Sequence, residues 1–287
     1  MPLKILVDTA CDLTPDEAAT LGVELLPLKM FFGEEQYLDG YDLTHDQFFE
    51  MLVESNVLPT TSQLTPYEYE DAFRRATADG AEVICITLSA KLSGCYQSAG
   101  IAAQDFRDRV YIVDSENACV GERILAELAV NLREDGLSAK QIVEVLEQKK
   151  HDIRLVALLD TLEYLKKGGR ISSGTAMAGS LLSIKPVISI VHGEITLLGM
   201  ARGSKKGNNK LIEVIRQSGG IDFTLPFCLA YSGLSRHLLQ KYIEDSAFLY
   251  EGKTLGLPIS SIGCAVGTHI GPGAIAAAFF VRGEKNE

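Results

Sequence analysis

The 287 residues contain no basic tail and no arginine-rich run, and the formal charge is −11. Binding along a phosphate backbone needs clustered cations, so nucleic acid is not expected as a partner. No uninterrupted apolar run approaches the roughly 18 residues of a membrane span, and no stable membrane insertion is expected. Met1 to Asp8 has neither a basic leader nor a small-residue cleavage site, so no secretory signal is expected. The six cysteines (Cys11, Cys85, Cys95, Cys119, Cys228, Cys264) form no C-x-x-C pair, and the five histidines lack paired metal spacing. Both absences argue against a metal site and point to reduced, buried thiols in a cytoplasmic protein. Internal repeats of about 20 to 50 residues and low-complexity stretches are also missing.

What is present is globular: 46% of residues are hydrophobic and 23% charged. At roughly 100–200 residues per domain the length predicts two domains, read here as an N-terminal α/β unit over 1–150 and a C-terminal α/β unit over 151–287. Lys4 to Val7, Val83 to Leu88, Val110 to Val113 and Leu155 to Leu159 are short, apolar and mostly β-branched. Helical patterns lie between them, which predicts parallel crossover units. Pro15 to Leu21 reads as a helix capped by Thr14, and Ser138 to Lys149 as one with Ile142, Val145 and Leu146 on one face. Met30 to Tyr37 reads as a hairpin turning at Gly33.

Beyond residue 150, Ser183 to Ile190 and Ile195 to Met200 read as strands joined by His192-Gly193-Glu194, which predicts antiparallel pairing. Pro226 to Ala230 and Leu257 to Ile262 add strands. Lys205 to Arg216 and Ser235 to Asp245 add helices. The fold class is therefore α/β, mostly parallel in the N-terminal sheet and mixed or antiparallel in the C-terminal one.

Residues 149 to 216 hold 12 Lys plus Arg against 5 Asp plus Glu, a basic island in an acidic chain. It reads either as solvated helix faces or as a docking surface for an acidic partner or phosphate, with Arg170, Arg202, Lys205 and Lys206 as donors.

Several catalytic signatures fail. Gly252-Lys253-Thr254 resembles the end of a P-loop, but Ala247 stands where the first glycine is required, and a helix precedes it instead of a strand. Ser93 in Lys91-Leu92-Ser93-Gly94-Cys95 lacks the first glycine of a nucleophile elbow, which weakens a hydrolase built on Ser93 and His269. Two hydroxyl-rich segments remain. Thr60-Thr61-Ser62-Gln63 precedes a helix opened by Thr65-Pro66, and Ser89 to Ser93 follows a strand and opens a helix near Gly94. Both read as sites that cradle an anion beyond strand ends, or as ordinary N-caps. Gly267-Thr268-His269-Ile270-Gly271-Pro272-Gly273 reads as a fixed backbone loop around His269, a residue that is either structural or part of a site.

These segments, with others in order along the chain, resemble the DegV family of bacterial proteins, the fatty-acid-binding subunits of bacterial fatty acid kinase. The matching residues are Val7-Asp8-Thr9 with Asp12-Leu13, Thr61-Ser62-Gln63, Leu92-Ser93-Gly94 with Tyr96-Gln97-Ser98-Ala99, and Asp114-Ser115. They continue with Gly168-Gly169-Arg170-Ile171-Ser172, Ile184-Lys185-Pro186, Arg202, and His269-Ile270-Gly271-Pro272-Gly273. Leu64 stands where proline is common and Cys95 where threonine is common.

The resemblance implies a two-domain fold that holds one long-chain fatty acid in a buried tunnel, with no cofactor, metal or catalytic residue of its own. It implies that Thr61, Ser62, Ser93, Gly94 and His269 bind the carboxyl group, supported by Arg170, Ile270 and Gly271. Arg202, Lys205 and Lys206 would face a separate ATP-binding kinase subunit that makes the acyl phosphate for phospholipid synthesis. The alternatives are a stand-alone lipid or ester hydrolase using Ser93 and His269, or a module that binds an apolar acid without a kinase.

Overall fold

The apolar runs become strands of three sheets. A computed structural model describes residues 2–55, 57–171, 184–252 and 254–282; Ser172, Ser183 and Lys253, named above, lie outside the described residues. Strands β1 (Leu3–Asp8) and β2 (Glu24–Leu26) pair in parallel. Strands β3 (Lys29–Phe32), β4 (Glu35–Leu38) and β5 (Thr60–Ser62) form a small antiparallel sheet, with Gly33 at φ +62° in the hairpin turn. Strands β6 (Glu82–Thr87) and β7 (Val110–Asp114) return to the first sheet and complete the parallel order β2-β1-β6-β7. The remaining strands are β8 (Ile153–Leu158), β9 (Ile184–Val191), β10 (Glu194–Arg202), β11 (Phe227–Tyr231), β12 (Ile259–Ser261) and β13 (Ile275–Phe280). They form a mixed six-stranded sheet in the order β10-β9-β8-β13-β11-β12.

Helices α1 (Pro15–Leu21), α2 (His45–Glu54), α3 (Pro66–Thr77), α4 (Cys95–Ala102), α5 (Val120–Glu134), α6 (Ala139–Lys149) and α7 (Glu163–Lys167) lie between the strands of the first two thirds of the chain. Helices α8 (Ser204–Gln217), α9 (His237–Asp245) and α10 (Cys264–Ile270) follow. Four of them begin with a reciprocal capping box, at Thr14/Glu17, Thr44/Gln47, Thr65/Glu68 and Ser138/Gln141. In each, the cap hydroxyl accepts an otherwise orphaned N–H while the Glu or Gln side chain accepts the cap's own N–H.

The main core lies between the parallel sheet and the six-stranded sheet. Val7 and Ile86 of the parallel sheet and Leu155, Ile188 and Ala276 of the six-stranded sheet belong to it, together with Ile124 and Leu128 of α5. The outer face of the parallel sheet is covered by Tyr69 and Phe73 of α3, and that of the six-stranded sheet by Leu211 and Tyr242 of α8 and α9. All six cysteines are unpaired and buried. Among the described residues no helix is long and apolar enough to cross a membrane.

Two readings of the sequence are corrected. Leu155 to Leu159 is not a parallel strand: β8 pairs antiparallel with both β9 and β13. Buried on both faces, it has the continuous apolar run that parallel strands also have, so its composition does not reveal its direction. Gly267 to Gly273 is not a loop throughout, because α10 runs to Ile270 before the chain turns at Gly271. A Cβ at Gly267 would come within 2.7 Å of Phe48 and 2.9 Å of Phe49, so this glycine permits close helix packing and does not break the helix.

Candidate functional site

Strand residues of one parity line a cavity of about 340 Å³ between the two large sheets, within the roughly 300–1,000 Å³ typical of ligand pockets. Leu155 and Ala157 of β8, Ile188 and Ile190 of β9, and Ala276 of β13 point into it, because side chains alternate along a strand. Ala157 and Ala276 leave open the space that larger side chains would fill. On the opposite face, Val156, Leu158 and Val187 fill the outer core.

The cavity also meets a polar group made of Thr61, Ser62, Gln63, Ser93, Arg170 and His269. Thr61 and Ser62 come from β5, the strand that pairs with β3 in the small antiparallel sheet. This corrects the expectation that their hydroxyls lie beyond a strand end, since they lie within a strand. Ser93 does follow one, lying in the turn between β6 and α4. Its Oγ accepts the Cys95 N–H at 3.3 Å and donates to Cys95 Sγ at 3.3 Å. Ser89 pins the same turn by donating to the Gly193 carbonyl at 2.8 Å. Gly94 forms the N-cap of α4 and lies under Gln63; a Cβ there would collide with the Gln63 amide.

His269 occupies the last turn of α10, with Nε2 2.9 Å from Thr61 Oγ1 and a buried Nδ1 that has no hydrogen-bond partner among the described residues. Burial, reinforced by the positive charge of Arg170, pushes its imidazole down to about 4, so the ring is neutral at pH 7. Arg170 Nε donates to the Leu92 carbonyl at 3.2 Å, and Nη1 donates to that of Gly168. A Cβ on Gly168 would collide with His269 Nδ1. Ile270 lines the cavity. Gly271, at φ +70°, lies against the Tyr164 ring where a side chain would not fit.

Among the described residues the group combines hydroxyls, an amide, a neutral imidazole and one guanidinium, with no carboxylate lining the cavity. It is suited to an anionic head on an apolar body. Among the described residues a serine-hydrolase relay is not assembled: the Ser93 hydroxyl bonds to Cys95, His269 Nε2 to Thr61, and His269 Nδ1 has no acidic partner. Among the described residues, no three His, Cys, Asp or Glu side chains gather as a metal set.

The basic island separates in space. Arg170 lines the cavity, whereas Arg202, Lys206 and Lys210 line a surface groove between β10 and α8. Lys185 pairs with Asp160, Lys149 with Asp152, and Lys210 with Glu213. Arg202, Lys205 and Lys206 are exposed and have no ion-pair partner among the described residues. Gln63 and Gly168 belong to the site although neither was assigned a role from sequence. Both stood within the motifs that carried the resemblance.

Residues 2–282 match the family described as "uncharacterised protein, DegV family". The chain belongs to the DegV family. A DegV domain-containing protein of Deinococcus radiodurans is 34% identical over 283 residues, covering 97% of this chain and 98% of that one. Among solved structures, a DegV family protein of Thermus thermophilus, described by its fatty acid binding, superposes with a TM-score of 0.86 at 30% identity, covering 98% of this chain and 100% of the other. A stearic acid-binding protein of Eubacterium ventriosum superposes with a TM-score of 0.83 at 29% identity, covering 98% of each chain. The DegV fold therefore extends over nearly the whole chain, and its relatives include proteins that bind fatty acids.

Proposed function

We propose that this DegV protein holds one long-chain fatty acid, with the acyl chain in the cavity between the sheets and the carboxyl group against Thr61, Ser62, Ser93, Gly94 and His269. Arg170, Ile270 and Gly271 support the head group. The observation that carries this reading is an apolar cavity that meets a cluster of neutral donors and a single cation. Burying about fourteen methylenes at roughly 0.8 kcal/mol each contributes on the order of 11 kcal/mol before ordering costs. The head group opposes burial, because a carboxylate removed from water needs replacement donors. Hydroxyls from β5 and the Ser93 turn supply them, and Arg170 offsets the charge. The fatty acids bound by the Thermus thermophilus and Eubacterium ventriosum relatives support the same ligand class.

The protein is read as a cytoplasmic carrier that presents the carboxylate to a separate ATP-dependent kinase subunit. A carboxylate oxygen attacks the γ-phosphorus, the bond to ADP breaks, and an acyl phosphate forms for phospholipid synthesis. Arg202, Lys205 and Lys206, exposed beside a groove, offer that partner a cationic surface. We read residues 1–150 and 151–287 as two domains meeting at the cavity. The parallel and small sheets draw their strands from residues 3–114, and the six-stranded sheet draws its strands from 153–280.

The test is mass spectrometry of organic extracts of the purified protein, followed by acyl-phosphate formation with a supplied kinase subunit. Near-stoichiometric fatty acid with turnover supports the reading. Fatty acid without turnover reduces the protein to a binding module. Product released from an ester substrate by the protein alone would replace the reading with hydrolysis.

A further inference from the structure

Helix α10 has only seven residues, and the residue at its N-cap is Gly263, which has no side chain to cap it. Its first N–H groups are nevertheless satisfied, by carboxylates more than 220 residues earlier in the chain. Asp12 Oδ1 accepts the Gly263 N–H at 2.8 Å. Asp39 Oδ1 accepts the Cys264 N–H at 3.0 Å, and its Oδ2 accepts that of Ala265 at 3.1 Å. Both aspartates are fully buried.

Asp39 stands in the stretch from β3 to β5 that also carries Thr61. That stretch holds α10 along its whole length: Asp39 at the first turn, Phe48 and Phe49 against Gly267 in the middle, and Thr61 on His269 at the last turn. At about 1.5 Å per residue, roughly 7.5 Å of rigid helix separates Cys264, which Asp39 holds, from His269. We propose that Asp39 is a positioning residue for His269, setting the helix so that the imidazole meets Thr61 at the cavity. This rests on the fatty-acid reading only in that the ring is taken to serve the carboxyl group.

The two aspartates differ in a way that sharpens the test. Both Asp39 oxygens accept N–H groups, so an amide in its place turns a donor toward a donor. Among the described residues Asp12 Oδ2 is buried with no nitrogen or oxygen partner, only the Cys119 thiol near its carboxyl group, so an amide NH2 can take its place while Oδ1 keeps its bond to Gly263. Asp39→Asn should therefore disturb His269, and Asp12→Asn should not.

NMR titration of the His269 ring in ligand-free protein reads the position of the helix directly. Arg170, whose positive charge helps to hold the ring neutral, is unchanged in either variant. In the parent and Asp12→Asn the midpoint should remain near 4, whereas in Asp39→Asn it should rise by about one unit toward the ordinary value as the ring moves toward water. Fatty acid dissociation should become about tenfold faster in Asp39→Asn. It should change by less than about twofold when the same substitution is made in a His269→Ala background, because partners that act through one another are not additive.

If Asp39→Asn does not fold, Cys264→Pro removes the N–H that Asp39 Oδ1 accepts, at the first helical position, where proline is tolerated. The extended conformation of Gly263 suits a following proline. An unshifted His269 midpoint in a folded variant, or dissociation losses that simply add, would overturn the proposal. A parent that binds no fatty acid would remove the reading of the preceding section and leave the titration alone to judge Asp39.

Discussion

Thr61 and His269 are 208 residues apart in sequence, yet Oγ1 of one lies 2.9 Å from Nε2 of the other. The contact joins β5 of the small antiparallel sheet to the last turn of α10. It closes the polar group on the cavity from two elements that share no strand pairing. The Thr61 hydroxyl is the only hydrogen-bond partner of the ring among the described residues.

Replacing Thr61 with alanine should therefore loosen the ligand more than the fold. The residue is only partly buried, and its backbone pairing with Met30 does not depend on the side chain. Losing the hydroxyl should cost about 1–3 kcal/mol of ligand retention, roughly 5- to 150-fold, with the thermal midpoint nearly unchanged. Ser93→Ala should fall in the same range, and Thr61→Ser should recover most of the loss. A competition assay against a fluorescent fatty acid measures each variant. Retention equal to the parent in both alanine variants would show that the head-group assignment is wrong.

Gly168→Ala tests the other side of the ring. Gly168 has φ −74°, which alanine adopts freely, so any effect comes from the added methyl group and not from backbone strain. That methyl would collide with His269 Nδ1. The ring must move, and retention should fall about tenfold or more while the far-UV spectrum stays that of the parent. A crystal structure with an undisplaced ring would contradict this account of the glycine.

Legibility in the sequence followed the range of the interactions. β1, β6 and β7 were readable because each is a local β-branched run, α1 because Thr14 announces its cap, and α6 because Ile142, Val145 and Leu146 recur on one face. β8 was readable as a strand but not in direction, since burial on both faces gives it the same appearance in either kind of sheet. α10 was hidden because Gly267 and Gly271 read as turn residues, and the aromatic pair that requires Gly267 lies more than 200 residues away. Ala157 and Ala276 carry no local sign that they line a cavity. Thr61, Ser93 and His269 were recognisable as a set only through the family resemblance, because no spacing rule links a strand edge, a turn and a helix end.

Buried acids predict an unusual dependence of stability on pH. Burial raises Asp8 to about 7 and Asp12 to about 8, from 3.8. The folded chain keeps protons that the unfolded chain has released, so these groups lower stability as pH rises from about 4 to 8. His269 acts in the opposite sense. With its value pushed down from 6.5 to about 4, the unfolded chain binds a proton first, and stability falls as pH drops through that window. Asp12→Asn should therefore gain on the parent steadily between pH 4 and 8, and His269→Gln should gain on it as pH falls from 6.5 to 4. Urea unfolding at pH 4.5, 6 and 8 measures both differences, and a pH-independent difference in either variant would refute the corresponding assignment.

Arg202, Lys205 and Lys206 are the exposed remnant of a basic stretch whose other members include ion-paired lysines and the cavity-lining Arg170. If they face an acidic surface on the kinase subunit, Arg202→Glu places like charges against each other, which slows association and weakens the complex. Fatty acid retention should survive, because Arg202 lines the surface groove and not the cavity. Raising salt should imitate the substitution for the parent complex, since exposed charges are screened over about 10 Å at 0.1 M, whereas a buried acyl chain is unaffected. The measurement is acyl-phosphate formation with a supplied kinase subunit across a salt series, run beside ligand retention for the same preparation. The expected result is a loss of turnover in Arg202→Glu that is largest at low salt, where the parent complex is strongest, with retention unchanged. Equal turnover for parent and variant would make the patch an ordinary solvated face, and loss of fatty acid would assign Arg202 to the cavity instead of the docking surface.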